Sequence, residues 1–180
     1  CQIIKTALVY ISFLILWDVV MTLSKTLRIS VLAIFCLILS GCLSLGGLNR
    51  QQVHILKKEG FVLTNEGWSL GLPERLLFDF NASNIKPAHQ SELIRLAQQL
   101  QKYKLNKVKI VGHTDNIGNA EYNLKLSEQR AQTVAAIFLQ QGFASQNIFA
   151  SGKGSSQPVE INDSEQHRAA NRRVTIIIIP

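Results

Sequence analysis

The stretch that most constrains this chain runs Val111-Gly112-His113-Thr114-Asp115-Asn116-Ile117-Gly118 and continues through Tyr122-Asn123 and Leu126-Ser127-Glu128-Gln129-Arg130-Ala131. The alternating apolar residues Val108 and Ile110 ahead of it suit a half-buried strand. Gly112 and Gly118 bracket a polar turn, where the permissive dihedrals of glycine allow tight backbone approach. Beyond the turn, Leu124, Ala131, Val134, Ala135 and Phe138 recur as the core face of a long amphipathic helix. Asn123, Ser127 and Arg130 fall four and three residues apart on an adjacent face. Strand, turn and helix in that order aim Asp115 and Arg130 at one pocket. A minus and a plus held apart suit a zwitterionic ligand.

The rest of the composition narrows the partners. The chain of 180 residues has room for one domain plus a targeting segment. It carries 19 Lys/Arg against 12 Asp/Glu; three of those bases and one of those acids precede residue 42, so the remainder keeps a net charge of +5. That balance fits an anionic polymer, an anionic lipid surface or simply a basic solvated surface. No cluster of Lys/Arg with interleaved aromatics is present, which argues against nucleic acid. The three cysteines, Cys1, Cys36 and Cys42, all lie in the N-terminal quarter, with no CxxC and no Cys/His cluster. No metal or cofactor is expected.

Taken in order, residues 1–20 form an apolar run broken by Lys5 and Asp18. They suit either an over-extended N-terminus or a membrane span, the latter making an inner-membrane protein. Met21 opens a secretory signal over 21–41: Lys25 and Arg28, then apolar Ile29 to Leu39. Its end, Leu39-Ser40-Gly41-Cys42, resembles the lipobox of bacterial lipoproteins, with Cys42 as the lipidated residue and Leu43 after it implying outer-membrane sorting. Residues 42–75 are expected as a lipidated tether. Within it, Asn49 and Gln52 mark a capping box, Gly60 a helix end, and Phe61–Leu63 with Trp68–Leu70 a hairpin. Val53, Leu56, Phe61 and Trp68 are candidates for a partner-binding surface, or else pack on the domain.

The domain proper is expected over 76–180. Leu76–Phe80 suits a strand buried on both faces, and Pro87 opens a helix to Tyr103 with Leu93, Leu96, Ala97 and Leu100 inward. A strand over 107–111, the helix stopping at Gly142, a strand over 148–151, a short helix at 164–170 and a β-branched strand over 172–179 follow. Alternating strands and helices imply a two-layer α/β sandwich.

The string GHTDxxGxxxYNxxLSxxRA, with RxxNRRV near the end, resembles the OmpA-like C-terminal domain, the peptidoglycan-associated module of Gram-negative envelopes. The resemblance implies an α+β fold, a mixed sheet with helices on one side. It implies an outer-membrane lipoprotein, its domain in the periplasm, that grips peptidoglycan noncovalently through the diaminopimelate of the stem. There Arg130 would hold the carboxylate in a bidentate fork, Asp115 would accept from the ammonium, and backbone N–H groups near Gly118 would add donors. Phe80 and Asn81 complete the pocket by resemblance, although many members have Asp where Asn81 stands.

The run from Glu59 to Phe78 further resembles the YfiB-type lipoproteins, which capture the periplasmic repressor YfiR and so free a diguanylate cyclase; a homodimer is compatible with this. Other readings stay open: a plain intradomain Asp115–Arg130 salt bridge, a general wall anchor of the Pal type, or a murein-modifying enzyme. For the last, His113 beside Asp115 would need a further acid, base or nucleophile that the sequence does not offer. His113 is expected instead to shape the loop by hydrogen bonding. Of the adjacent Arg172 and Arg173, one is expected to brace the ligand loop and the other to be solvated.

Overall fold

The structure, a computed structural model, describes residues 47–79 and 82–180. The expectations for residues 1–20, for the signal at 21–41, for Cys42 and for Phe80 and Asn81 lie outside the described residues.

The first helix, α1 (Arg50–Lys58), begins as its capping box dictates. Asn49 accepts from the Gln52 N–H at 2.8 Å while Gln52 Oε1 accepts from the Asn49 N–H at 2.9 Å. Gly60, at φ +87°, ends it, and Phe61 N–H closes back on Leu56 O. The hairpin follows as β1 (Val62–Thr64) and β2 (Gly67–Pro73). Then come α2 (Glu74–Leu77), α3 (Pro87–Lys102), β3 (Val108–His113), α4 (Ala120–Gln140), β4 (Ile148–Gly152), α5 (Glu165–Asn171) and β5 (Arg173–Ile178).

Five strands make one sheet in the order β1-β2-β5-β3-β4; only β3 and β4 run parallel. The expected mixed sheet is therefore present. One face carries Trp68, Val108, Ile110, Val174, Ile176 and Ile178 into a core shared with Leu93, Leu96 and Leu100 of α3 and Val134 and Phe138 of α4. The opposite face carries Val111, His113, Arg173, Thr175 and Ile177, which line a separate groove.

Three expectations are corrected. The strand over Leu76–Phe80 is instead the single turn α2 followed by an isolated bridge between Phe78 and Ile85. Both flanks of β5 are already taken by β2 and β3, so the sheet has no interior place for that segment. Leu77 and Phe78 still bury, as their apolar character demands, while Leu76 faces solvent. Second, Leu56, Phe61 and Trp68 are buried core residues and Val53 packs against the same core, so they do not form an exposed patch. The segment expected as a tether is, from Leu48 onward, part of the sheet and its core. Third, Leu124 points outward, about half exposed, and Leu126 takes its place inside.

Candidate functional site

The strand β3 delivers Thr114 and Asp115 at its end, and the following turn is tied on both sides. Asp115 Oδ1 accepts from Ile117 N–H at 3.0 Å, and Asn123 Nδ2 donates to Ile117 O at 2.8 Å. Gly118, at φ +92°, makes the bend in a conformation that L side chains rarely adopt. Asn119 then caps α4 by accepting from Tyr122 N–H at 3.0 Å.

Gly112 works differently from the expectation. Its backbone is not left-handed; what matters is its missing side chain, because a Cβ there would lie 2.0 Å from Ser127 O. The helix α4 thus lies directly on β3, and Ser127, fully buried, accepts from Gly154 N–H at 2.9 Å. This close contact brings Arg130 beside the strand end.

Asp115, Gly118 and Arg130 line one pocket of about 490 Å³, together with Glu74, Tyr122, Glu165, Arg168 and Arg172. Asp115 and Arg130 each pair with another residue. Arg130, 2% exposed, donates through its NH2 group to Glu74 Oε1 at 2.6 Å and through Nε to Ala82 O at 2.9 Å, and sits 5.2 Å over the Phe78 ring. Arg172 donates to Asp115 Oδ2 at 2.6 Å and lies 3.4 Å from Glu74 Oε2. It also hydrogen-bonds Glu165, whose carboxyl it holds below the usual range. Burial pulls against Arg172's own charge, yet its bonds to Glu165 and Asp115 leave its pKa raised. Three acids and three guanidiniums thus alternate around a concave surface. Such a lattice offers both signs of charge to the pocket.

Of the two adjacent arginines, Arg172 is therefore the one that braces the loop carrying Asp115. Arg173 is not the solvated one expected: it is partly buried on the other sheet face, donating to Asn171 O and Gln157 O, with its pKa lowered by burial. Glu74, the partner of Arg130, escaped the sequence reading. It is a lone acid between apolar residues in Leu72-Pro73-Glu74-Arg75-Leu76, and nothing in that local pattern announces a pocket residue.

His113 is a correction too. It is buried, and its Nδ1 has no hydrogen-bond partner. Burial first, then the neighbouring Arg173, push its pKa down to about 4; Glu66 opposes this, while Lys153 and Lys109 add to it. A folded-state pKa below the unfolded value of about 6.5 means the unfolded chain takes up the proton first as pH falls. Stability from this residue is complete above about pH 6.5 and is lost as pH falls toward 4, by roughly 1.4 kcal/mol per unit within that window. Urea titrations of His113→Phe across pH 4 to 7 are expected to show a flatter pH dependence than wild type.

Among the described residues no group of three or more His, Cys, Asp or Glu is placed to hold a metal ion, and no helix is long and apolar enough to cross a membrane.

A two-layer fold with this pocket at the end of β3 defines a class, and comparison with known proteins gives the same class. Residues 77–172 match the OmpA family, and the chain belongs to it. The outer-membrane lipoprotein YfiB of Pseudomonas aeruginosa is 40% identical over 156 residues, spanning 84% of this chain and 93% of that protein. Among solved structures, a MotB-like protein from Desulfovibrio vulgaris superposes with a TM-score of 0.64 at 25% identity, covering 71% of this chain and 88% of that one. The peptidoglycan-associated lipoprotein of Burkholderia pseudomallei does so with a TM-score of 0.51 at 29% identity, covering 59% and 87%.

Proposed function

We propose that this protein is an outer-membrane lipoprotein, anchored through Cys42 after removal of a signal at 21–41, whose periplasmic domain grips peptidoglycan noncovalently. The observation that carries the reading is the buried pocket that joins Asp115 and Arg130 at the end of β3. The distal end of a diaminopimelate stem carries an ammonium beside a carboxylate, and the alternating acids and guanidiniums match both. Asp115 takes the ammonium and Arg130 the carboxylate, with Arg172 holding Asp115 in place. The family membership and the name of the Burkholderia relative support peptidoglycan as the polymer bound. The binding role needs no catalytic group, and none is assigned.

The finer proposal follows the likeness to YfiB: the lipoprotein captures a periplasmic repressor of the YfiR type and so relieves a diguanylate cyclase. With Leu56, Phe61 and Trp68 buried, the apolar side chains this segment offers to a partner are Val62 and Leu63, both more than half exposed on the edge strand β1.

One pull-down tests both parts. Wild type is expected to sediment with purified murein sacculi, and an Asp115→Ala, Arg130→Ala double variant to stay in solution while circular dichroism shows it folded. Arg130→Lys, which keeps the charge and loses the fork, should bind weakly. Equal sedimentation of all three would sink the peptidoglycan reading. A Val62→Asp, Leu63→Asp variant should keep the sacculi and release the repressor; retention of the repressor would remove that surface from the proposal.

A further inference from the structure

Glu74 is an oddity in the pocket. Its side chain is 12% exposed and it pairs tightly with the Arg130 guanidinium at 2.6 Å. Its other oxygen, Oε2, is buried without a hydrogen bond and has only the 3.4 Å approach of Arg172. A buried guanidinium needs a counter-charge, and in the ligand-free site Glu74 supplies it. The same guanidinium is the group that the diaminopimelate carboxylate would need. Two carboxylates side by side on one cation repel, so the resident and the incoming one compete.

We infer that Glu74 is a built-in stand-in for the ligand: it occupies Arg130 while the pocket is empty, and the distal carboxylate of the peptidoglycan stem displaces it. The inference rests on the proposed peptidoglycan reading and sharpens it. It assigns Glu74 as a specificity-setting residue, because a ligand must bring its own carboxylate to replace the one it evicts. A stem with lysine at that position ends its side chain in the ammonium alone, with no carboxylate beside it to exchange. Glu74 sits at the first position of α2, directly after β2, and its N–H bonds Arg172 O at 2.9 Å. Its release therefore frees a short element rather than a strand.

The test separates affinity from stability, which move in opposite directions under this proposal. Titration calorimetry on the full chain in detergent uses two probes, both amidated at the C-terminal α-carboxyl: a stem tripeptide with meso-diaminopimelate as its third residue and the same peptide with lysine there. Glu74→Gln should bind the diaminopimelate peptide more tightly than wild type, on the order of tenfold. It should gain nothing for the lysine peptide, and its thermal midpoint should fall. Glu74→Asp, whose shorter carboxylate falls away from Arg130, should show the same signs and covers the case in which Glu74→Gln fails to fold. A Glu74 variant that binds the diaminopimelate peptide equally or more weakly overturns the proposal. Wild-type protein that binds neither peptide, or Arg130→Lys that binds like wild type, overturns the pocket reading itself and this inference with it.

Discussion

Replacing Gly112 with alanine is expected to cost about 3 kcal/mol of stability or more, and to shift the urea midpoint accordingly. The added methyl would meet Ser127 O at 2.0 Å and Ser127 C at 2.7 Å, which are backbone atoms of α4 and have no rotamer to escape by. The helix must lift off the sheet, and the pocket opens with it because Arg130 rides on the next turn. A Cβ at Gly152 would likewise lie 2.5 Å from Glu128 N, so the same helix also lies close on β4. The control is Gly71→Ala on β2, where a Cβ meets nothing within 4 Å and the change should be near neutral. Equal losses at the two positions would mean that glycine's backbone freedom, and not the helix contact, sets the cost.

The second large effect is at Arg130. Truncation to alanine should lower stability by roughly 3–5 kcal/mol, because it leaves the Glu74 carboxylate nearly buried with only a distant cation. Replacing both members, Arg130→Met with Glu74→Gln, should recover most of that loss, since no uncompensated charge remains. A double-mutant cycle measured by denaturant unfolding checks this; additive losses would show that the pair is not energetically coupled. Sacculus binding separates the two properties again. The double variant is expected to be folded and unable to hold peptidoglycan.

The helices α1, α3, α4 and α5, the hairpin and the β3–turn–α4 run were legible because each is written locally. The Asn49–Gln52 box, Pro87 at a helix start, Gly60 and Gly142 at helix ends, and the turn before Trp68 all act within a few residues. Asp115 and Arg130 were legible as a pair because one strand, one turn and one helix connect them. What escaped depends on long-range pairing. Leu76–Phe80 has strand composition, yet the sheet positions beside β5 belong to β2 and β3, and β5 itself comes far later in the chain. Trp68 and Phe61 have the composition of an interface as much as of a core, and only the pairing of β2 with β5 decides. Glu74 is drawn to Arg130 from 56 residues away, a distance over which no periodicity informs. His113 lost its expected hydrogen bond because it faces the second groove, a side of the sheet that the alternation of β3 implies but does not furnish with partners.

The strand order has a consequence for how the chain acquires its shape. Among the described residues, the β1–β2 pair and the β3–β4 pair are joined in the sheet's backbone hydrogen bonding only through β5, the last described strand. Trp68 waits for Ile178 across 110 positions, so the two halves of the sheet cannot be joined through backbone pairing until β5 has been made. A chain emerging N-terminus first therefore holds a lone hairpin, and later an edge of Val108–His113 without its partner, until β5 emerges. Such edges attract foreign strands. A nonsense change near position 172 would strand both halves at once.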